Sequence, residues 1–301
     1  MFNRLKPEDY AGLCKHFELH NYPLCEYSLA SVIIWNHCQY DVAWKTDGDL
    51  LLLAETDLKP PAARRLLMPL PAPLRAVAPA ELAAVSARNR RDPFYYIPGC
   101  YVEPNRAALE KLFTIAEQPG FMDYIYGTRD LAELAGHKYS KKRNLIAQFR
   151  KNTAALRKVE VQPITAKNSG LCLSVLDRWS HDPEAGARLE MLNCERKAII
   201  AALNNLAPLG LLGVLVQIDG EVCGFALGSR LSRDTFVLNF EKALDNFKGL
   251  YQFLDNELAK SLPANYVFIN KESDLELPGL AKAKESYYPV RKERSYTLTL
   301  K

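Results

Sequence analysis

Leu212-Gly213-Val214-Leu215-Val216-Gln217-Ile218-Asp219-Gly220-Glu221-Val222-Cys223-Gly224-Phe225-Ala226-Leu227 is the stretch on which the fold turns. Two apolar runs flank Asp-Gly, a dipeptide that supplies the positive φ angles of a two-residue hairpin turn. The pattern occurs twice. Tyr40–Thr46 is followed by Asp47-Gly48 and then by the apolar run Leu50–Ala54. Asp-Gly is a common turn, so its recurrence alone is weak ground for a duplicated architecture.

Outward from the hairpin, the residues predict an order of elements. Val159–Pro163 reads as a strand, and Gly170–Ser180 and Ala185–Leu206 as helices with apolar residues at helical spacing. After the hairpin come a strand over Thr235–Phe240 and an amphipathic helix over Gly249–Leu262, with Leu250, Phe253, Leu254 and Leu258 on one face. Tyr266–Asn270 is a short buried-type strand, Pro278–Ser286 a helix, and Ser295–Leu300 an alternating terminal strand. The order β-α-α-β-β-β-α-β-α-β specifies a mixed α/β sheet with helices on both faces. In the first half, six of the 18 prolines fall between Pro60 and Pro79, which excludes one continuous helix or a central strand there.

Composition sets broad limits. The 301 residues are 48% hydrophobic and 25% charged, a globular balance that excludes a disordered or fibrous chain. Basic residues number 39 and acidic 35, a net charge of +4 that does not by itself define a nucleic-acid binder. The longest apolar runs are too short for a membrane helix, and no targeting segment is visible, so a cytoplasmic protein without a transmembrane segment is expected. Seven scattered cysteines with no Cys-x-x-Cys predict reduced thiols, with Cys172 and Cys223 as core residues.

Three blocks carry a resemblance. The first is Asp123-Tyr124-Ile125-Tyr126, then Leu134 to Asn144, then Phe149. The second is Asn239-Phe240-Glu241-Lys242-Ala243 with Gly249-Leu250-Tyr251-Gln252. The third is Ile269-Asn270-Lys271-Glu272-Ser273-Asp274 leading to Gly279 through Val290. Together and in order, these resemble the DUF2156 family, which groups with the C-terminal catalytic domain of phosphatidylglycerol lysyltransferase. The resemblance implies two GNAT-like acyltransferase domains in tandem, divided here as residues 1–135 and 136–301, an arrangement shared with Fem-type aminoacyltransferases. It also implies transfer of an acyl or aminoacyl group to an amine or hydroxyl, with aminoacyl-tRNA as donor in members that use charged tRNA. The transmembrane flippase portion is absent, so lipid lysylation in the manner of the full-length enzyme is not expected.

Acyl transfer needs a base for the acceptor proton and a donor to the developing oxyanion. Glu241 at a strand end suits the base, and Asn270 at the next strand end suits a hydrogen bond to the donor carbonyl. Tyr251 is placed to protonate a leaving group. Asn239, Glu272, Asp274 and Lys282 complete a substrate-binding set, with the two acids offered to a cationic amino acid. Each of these, taken singly, also reads as a strand-end cap, a turn residue or an ion-pair partner.

From Lys138 to Lys158 there are eight basic residues and no acidic one. On one helix, Arg143, Arg150 and Arg157 form a stripe, with Leu145, Ile146, Phe149 and Leu156 on another face. Such a stripe suits a tRNA backbone or the phosphates of coenzyme A, and equally a solvated surface. Lys142, Arg143, Arg150, Lys248 and Gly249 are the candidate donor-phosphate residues. Asn246–Tyr251 sits where a pyrophosphate loop belongs, yet has a single glycine and lacks the usual acetyl-CoA pattern. A coenzyme A thioester is therefore the second donor and aminoacyl-tRNA the first. The acceptor is a small molecule or a lipid headgroup. A non-catalytic binding protein on the same scaffold is the alternative from another class.

Other chemistries are not indicated. No phosphate-binding Gly-Lys-Ser/Thr and no Gly-x-Ser-x-Gly elbow occurs. His16 and His20 lack the neighbouring glutamate of a zinc protease and read as a surface pair, and His37 beside Cys38 lacks a second ligand pair. His181-Asp182 reads as a cation at a helix end. No metal is implied.

Overall fold

The computed structural model describes residues 1–38, 40–179 and 186–301. The first part supplies β1 (Asn3–Arg4), β2 (Tyr40–Asp47), β3 (Leu50–Asp57), β4 (Arg64–Leu66), β5 (Leu70–Pro71), β6 (Phe94–Pro98) and β7 (Phe113–Glu117). Its helices are α1 (Tyr10–Leu19), α2 (Leu29–Trp35), α3 (Pro79–Arg88) and α4 (Gly99–Leu112). There follow β8 (Asp123–Gly127), α5 (Thr128–Glu133), α6 (Ser140–Phe149), β9 (Val159–Pro163), α7 (Leu173–Trp179) and α8 (Gly186–Asn204). The chain ends through β10 (Leu212–Ile218), β11 (Glu221–Arg230), β12 (Thr235–Ala243), α9 (Leu250–Ser261), β13 (Phe268–Asn270), α10 (Pro278–Glu285), β14 (Arg291–Glu293) and β15 (Ser295–Leu300). The ends of the two helices expected near Ser180 and Ala185, and the His181-Asp182 pair, lie outside the described residues.

Among the described residues there are two mixed sheets. One is ordered β1-β2-β3-β4-β6-β15-β7 with β5 beside β3, the other β14-β8-β13-β12-β11-β10-β9. They do not divide at residue 135. β8, before that point, pairs with β13 and β14 in the second sheet. β15, expected to end the second unit, inserts between β6 and β7 of the first. A terminal strand with alternating burial fits either sheet by pattern, so only tertiary pairing decides.

Both hairpins form, but their turns differ. Ile218 pairs with Glu221, leaving Asp219 and Gly220 as the loop, both at positive φ of 53° and 87°. In the first hairpin Asp47 pairs with Leu50, so the loop is Gly48-Asp49 rather than Asp47-Gly48, and the positive φ falls on Gly48. Glycine first in a two-residue loop is the mark of a different turn type, so the shared dipeptide is not a repeated unit.

The second sheet is covered on both faces. β11 is buried along nearly its whole length. On one face α9 packs against β10, β11 and β12, and its Phe253 ring lies 4.8 Å from that of Phe149 on α6. On the other face α2, from the first part of the chain, places Trp35 5.5 Å from Phe240 of β12. The helix expected over 138–158 is shorter than its basic run. α6 stops at Phe149, residues Arg150–Ala154 widen into a π turn, and Arg157 lies beyond it. The seven-residue stripe therefore loses its phase after Arg150.

Cys38 and Cys194 form a disulfide, where their scatter predicts free thiols. Packing of α2 against α8 brings the two Cα atoms to 5.1 Å across 156 residues, a proximity that sequence spacing does not encode. Cys172 and Cys223 are buried core thiols, as expected. His16 and His20 are buried rather than on the surface. Their ring nitrogens meet the carbonyl oxygens of Leu70 and Pro71 at 3.3 and 3.1 Å, and burial lowers both pKa values.

Candidate functional site

The site arises where two parallel strands part. β12 and β13 pair only from Thr235–Phe268 to Val237–Asn270. Beyond that point β12 runs on to Ala243 without β13, while the chain after Asn270 follows β8 through hydrogen bonds between Lys271 and Tyr124 and between Tyr124 and Glu272. A wedge opens between 239–243 and 271–273.

A bulge decides which side chains enter from which face. Leu227 of β11 pairs with Phe240 and Gly228 with Leu238, so Asn239 is an extra residue in β12. Gly228 accommodates the crowding, since a Cβ there would sit 2.0 Å from the Val237 carbonyl oxygen. One inserted residue turns the following side chain to the other face. Asn239 accordingly meets α2, whereas Glu241, two residues on, meets the α9 side. Glu241 and Asn270, expected to flank one carbonyl from neighbouring strand ends, have separate partners on opposite faces. Alternation along β12 alone puts Asn239 and Glu241 together, and a bulge is not legible in the residue pattern.

On the α9 face, Glu241 lies 3.6 Å from Lys271, which also binds Asp255 of α9 at 2.7 Å. Burial pushes the Glu241 carboxyl up to about 7, against the pull of Lys271. Burial also works against the charge on Lys271, but Asp255 and Glu241 outweigh it and raise its pKa. Lys142 reaches in from α6: its Nζ bonds Ser286 Oγ at 2.7 Å and lies 3.5 Å from the Tyr287 ring centroid. Burial and the neighbouring Lys271 lower it to about 8. Two groups that titrate near neutrality thus lie close together at a half-buried position.

On the α2 face, Asn270 Nδ2 donates to Asp123 Oδ2 and to the Pro23 carbonyl, both at 2.7 Å. Its Oδ1 accepts from the Glu272 amide at 2.6 Å. Asn239 Nδ2 donates to Glu272 Oε1 at 3.0 Å and to Ser31 of α2 at 2.7 Å. Burial raises Glu272 to about 8 and Asp123 to about 6, partly countered by Lys284 and Asn270 respectively. Glu272 also holds a φ of 58°, uncommon for a residue with a Cβ. Cys25, Glu26 and Asp123 bring a thiol and two carboxylates within 4.8 Å of one another. Burial pushes Cys25 and Glu26 well up, which favours bound protons over a bound metal ion.

The remaining expected residues are distributed as follows. Asp274 is buried and fixes a turn, accepting from Tyr124 Oη at 2.6 Å and from the Glu276 amide at 2.9 Å. Lys282 is exposed; Lys284 is the lysine of α10 that turns inward, with Nζ on the carbonyl oxygens of Lys271, Glu272 and Ser273. Arg143 caps the carbonyls of Leu134 and Gly136, and Arg150 lies 3.8 Å from Glu257. The acids that answer the basic run come from Glu257 of α9, from Asp219 in the hairpin turn, 3.6 Å from Arg157, and from Glu160, 3.2 Å from Lys158; the first two are remote in sequence. Lys248 is exposed, Tyr251 is half-buried on the first turn of α9, and Gly249 begins that helix at φ 90°. A Cβ on Gly249 would lie 2.2 Å from the Leu145 carbonyl oxygen, so this turn packs directly against α6. Sequence reasoning gave no role to Lys271, Asp255, Asp123 or Cys25, nor to Lys142 beside Glu241, although Asp123 and Lys271 lie in the resembling blocks. Lys282 and Lys284, two apart on a helix, cannot both face inward, and it is Lys284 that does.

A cavity of ≈ 470 Å³ lined by Tyr22, Val77, Cys100 and Tyr101, among others, shares no residue with either cluster.

The raised carboxyls make a pH prediction. A carboxyl whose folded pKa exceeds its unfolded value adds stability below the unfolded pKa and loses it as pH rises through the folded one. For Glu272 that window runs from its ordinary value of 4.5 to about 8. Urea unfolding across this range is expected to show the wild type losing stability relative to Glu272→Gln as pH rises. Parallel curves would contradict the buried carboxyl.

Among the described residues no helix is long and apolar enough to cross a membrane. A protein of unknown function from Bacteroides thetaiotaomicron is 28% identical, with TM-score 0.89 over 100% of this chain and 99% of that one. The C-terminal domain (DUF2156) of a putative lysylphosphatidylglycerol synthetase from Agrobacterium fabrum is 12% identical, with TM-score 0.62 over 97% of this chain and 91% of that one. A tandem GNAT protein from the clavulanic acid biosynthesis pathway is 11% identical, with TM-score 0.50 over 99% and 97% of the two chains. No curated protein matches the chain significantly. The fold is thus mixed α/β of the GNAT kind, and fold and family together support an acyltransferase-like function. The family model for phosphatidylglycerol lysyltransferase, C-terminal, matches residues 23–299, and the chain belongs to that family.

Proposed function

We propose that the protein moves an activated acyl group onto an amine or hydroxyl of a lipid headgroup or small molecule, with an aminoacyl ester of tRNA as donor. The observation that carries this reading is the wedge between β12 and β13, with Glu241 inside it at a pKa of about 7. A base poised near the working pH is the most effective proton acceptor. In the transfer, the acceptor oxygen or nitrogen bonds to the acyl carbon while Glu241 takes its proton. The bond from that carbon to the ribose oxygen breaks, and Lys142, also titrating near neutrality, returns a proton to the leaving oxygen. Lys271 holds Glu241 and Asp255 on either side of it, at 3.6 and 2.7 Å. Asn239 and Glu272, on the far side of the wedge, offer a polar wall to the acyl group.

The donor is tested by supplying aminoacyl-tRNA and acyl-CoA in parallel, each labelled in the acyl group, with a lipid extract and a mixture of amines. Label is expected to pass from aminoacyl-tRNA alone; transfer from acyl-CoA alone would overturn the donor assignment. Binding of tRNA is expected to weaken with salt, and Arg150→Glu with Lys248→Glu to lower affinity about tenfold and reduce the salt slope by about 2. Filter-binding titrations at several salt concentrations measure both, and an unchanged slope would count against a tRNA donor.

A further inference from the structure

The segment from Leu275 to Val290 is built unlike the rest of the molecule. α10 buries none of its residues. Leu275, Leu277, Leu280, Tyr288 and Val290 are 45, 46, 37, 45 and 53% exposed. These are five of the 14 exposed large hydrophobics among the described residues, within only 16 positions, so exposed apolar surface is concentrated on this one stretch.

The patch is held outward by a fixed frame. Leu275, Glu276 and Tyr288 adopt positive φ of 52°, 56° and 55°, conformations that persist only where surroundings impose them. Beneath them, Tyr126 Oη donates to the Lys284 carbonyl and the Val290 amide to the Ile125 carbonyl, both at 2.8 Å. The segment is thus anchored on its inner side and apolar on its outer side.

Cations surround the patch. Lys138 lies 5.7 Å from the Tyr288 ring centroid, and Lys141, Lys282 and Arg291 are exposed on the same segment or on the start of α6 beside it. Of the exposed acids in the segment, Glu285 is bound by Lys292, leaving Glu276 as the counterweight. Apolar side chains ringed by lysine and arginine match an acyl-chain boundary beneath anionic headgroups. A second copy on a two-fold axis would set like charges against each other, and a nucleic-acid backbone offers nothing to aliphatic side chains.

We propose that the 275–290 face docks on the surface of an anionic lipid bilayer. The inference rests on the reading that the acceptor is a lipid headgroup. Ser286 and Tyr287, next to the patch, hold Lys142 beside Glu241, so docking sets the wedge at headgroup level.

Flotation of the full chain with vesicles of phosphatidylcholine, alone or mixed with phosphatidylglycerol, tests this. Binding to the mixed vesicles, weakened by salt, is expected. Leu277→Glu with Leu280→Glu is expected to lower the bound fraction about tenfold. Both side chains are exposed, and circular dichroism checks that the fold is kept. No flotation, flotation unaffected by the pair, or a dimer in size exclusion that the pair dissociates would each overturn the proposal. Transfer to a water-soluble short-chain acceptor separates the two readings. Docking without such transfer leaves the docking face standing and removes the catalytic reading; transfer without docking does the reverse.

Discussion

Glu241→Gln is expected to lower the rate of acyl transfer by about 10²- to 10⁴-fold, the usual contribution of a general base. The variant keeps the shape of the side chain and removes its basicity. Because burial already favours the neutral form, glutamine fits without a stability cost, and an unchanged melting temperature is the control. The wild-type rate is expected to climb with pH through about 7, where the Glu241 carboxyl loses its proton, and the variant to lack that limb. Initial rates from pH 5.5 to 8.5 measure it. A variant within a few-fold of wild type would remove Glu241 from the chemistry.

Lys271→Met is expected to lower the free energy of unfolding by about 3 to 5 kcal/mol, the cost of stranding a buried charge. Lys271 is 10% exposed at its side chain, and its partner Asp255 only 3%. Methionine fills the volume but leaves Asp255 without its cation and Glu241 without its neighbour. The double variant Lys271→Met with Asp255→Asn is expected to recover much of the loss, because no ion then remains unpaired at 2.7 Å. Urea unfolding of the four proteins in this cycle gives the coupling. Additive losses would mean that the pair is not an energetic unit.

The hairpin, the amphipathic α9 and the order of elements from β9 to α10 were legible in the residues because each rests on local periodicity or turn chemistry, whereas the three-residue β14 is too short to show a pattern. The sheet that owns β15 was not, since burial alternates identically in either place. Among site residues, Glu241 was placed at the correct strand end but with the wrong companion. The bulge at Asn239 depends on how β11 and β12 are paired, and no local rule announces it. Lys284 rather than Lys282 faces inward because the 271–273 turn presents three carbonyls to it, an arrangement made by backbone and not by composition. Asn270 looked like an oxyanion donor and instead ties Pro23 to Asp123, a contact made across 247 residues of chain.

The place of β15 bears on how the protein is made. Its six residues lie between β6 and β7, so each of those strands keeps one edge open until they are made. Residues 295–300 are synthesised after every strand of the second sheet, so the first sheet, begun earlier, closes after it. Until then the nascent first sheet exposes unpaired strand edges to any neighbouring chain.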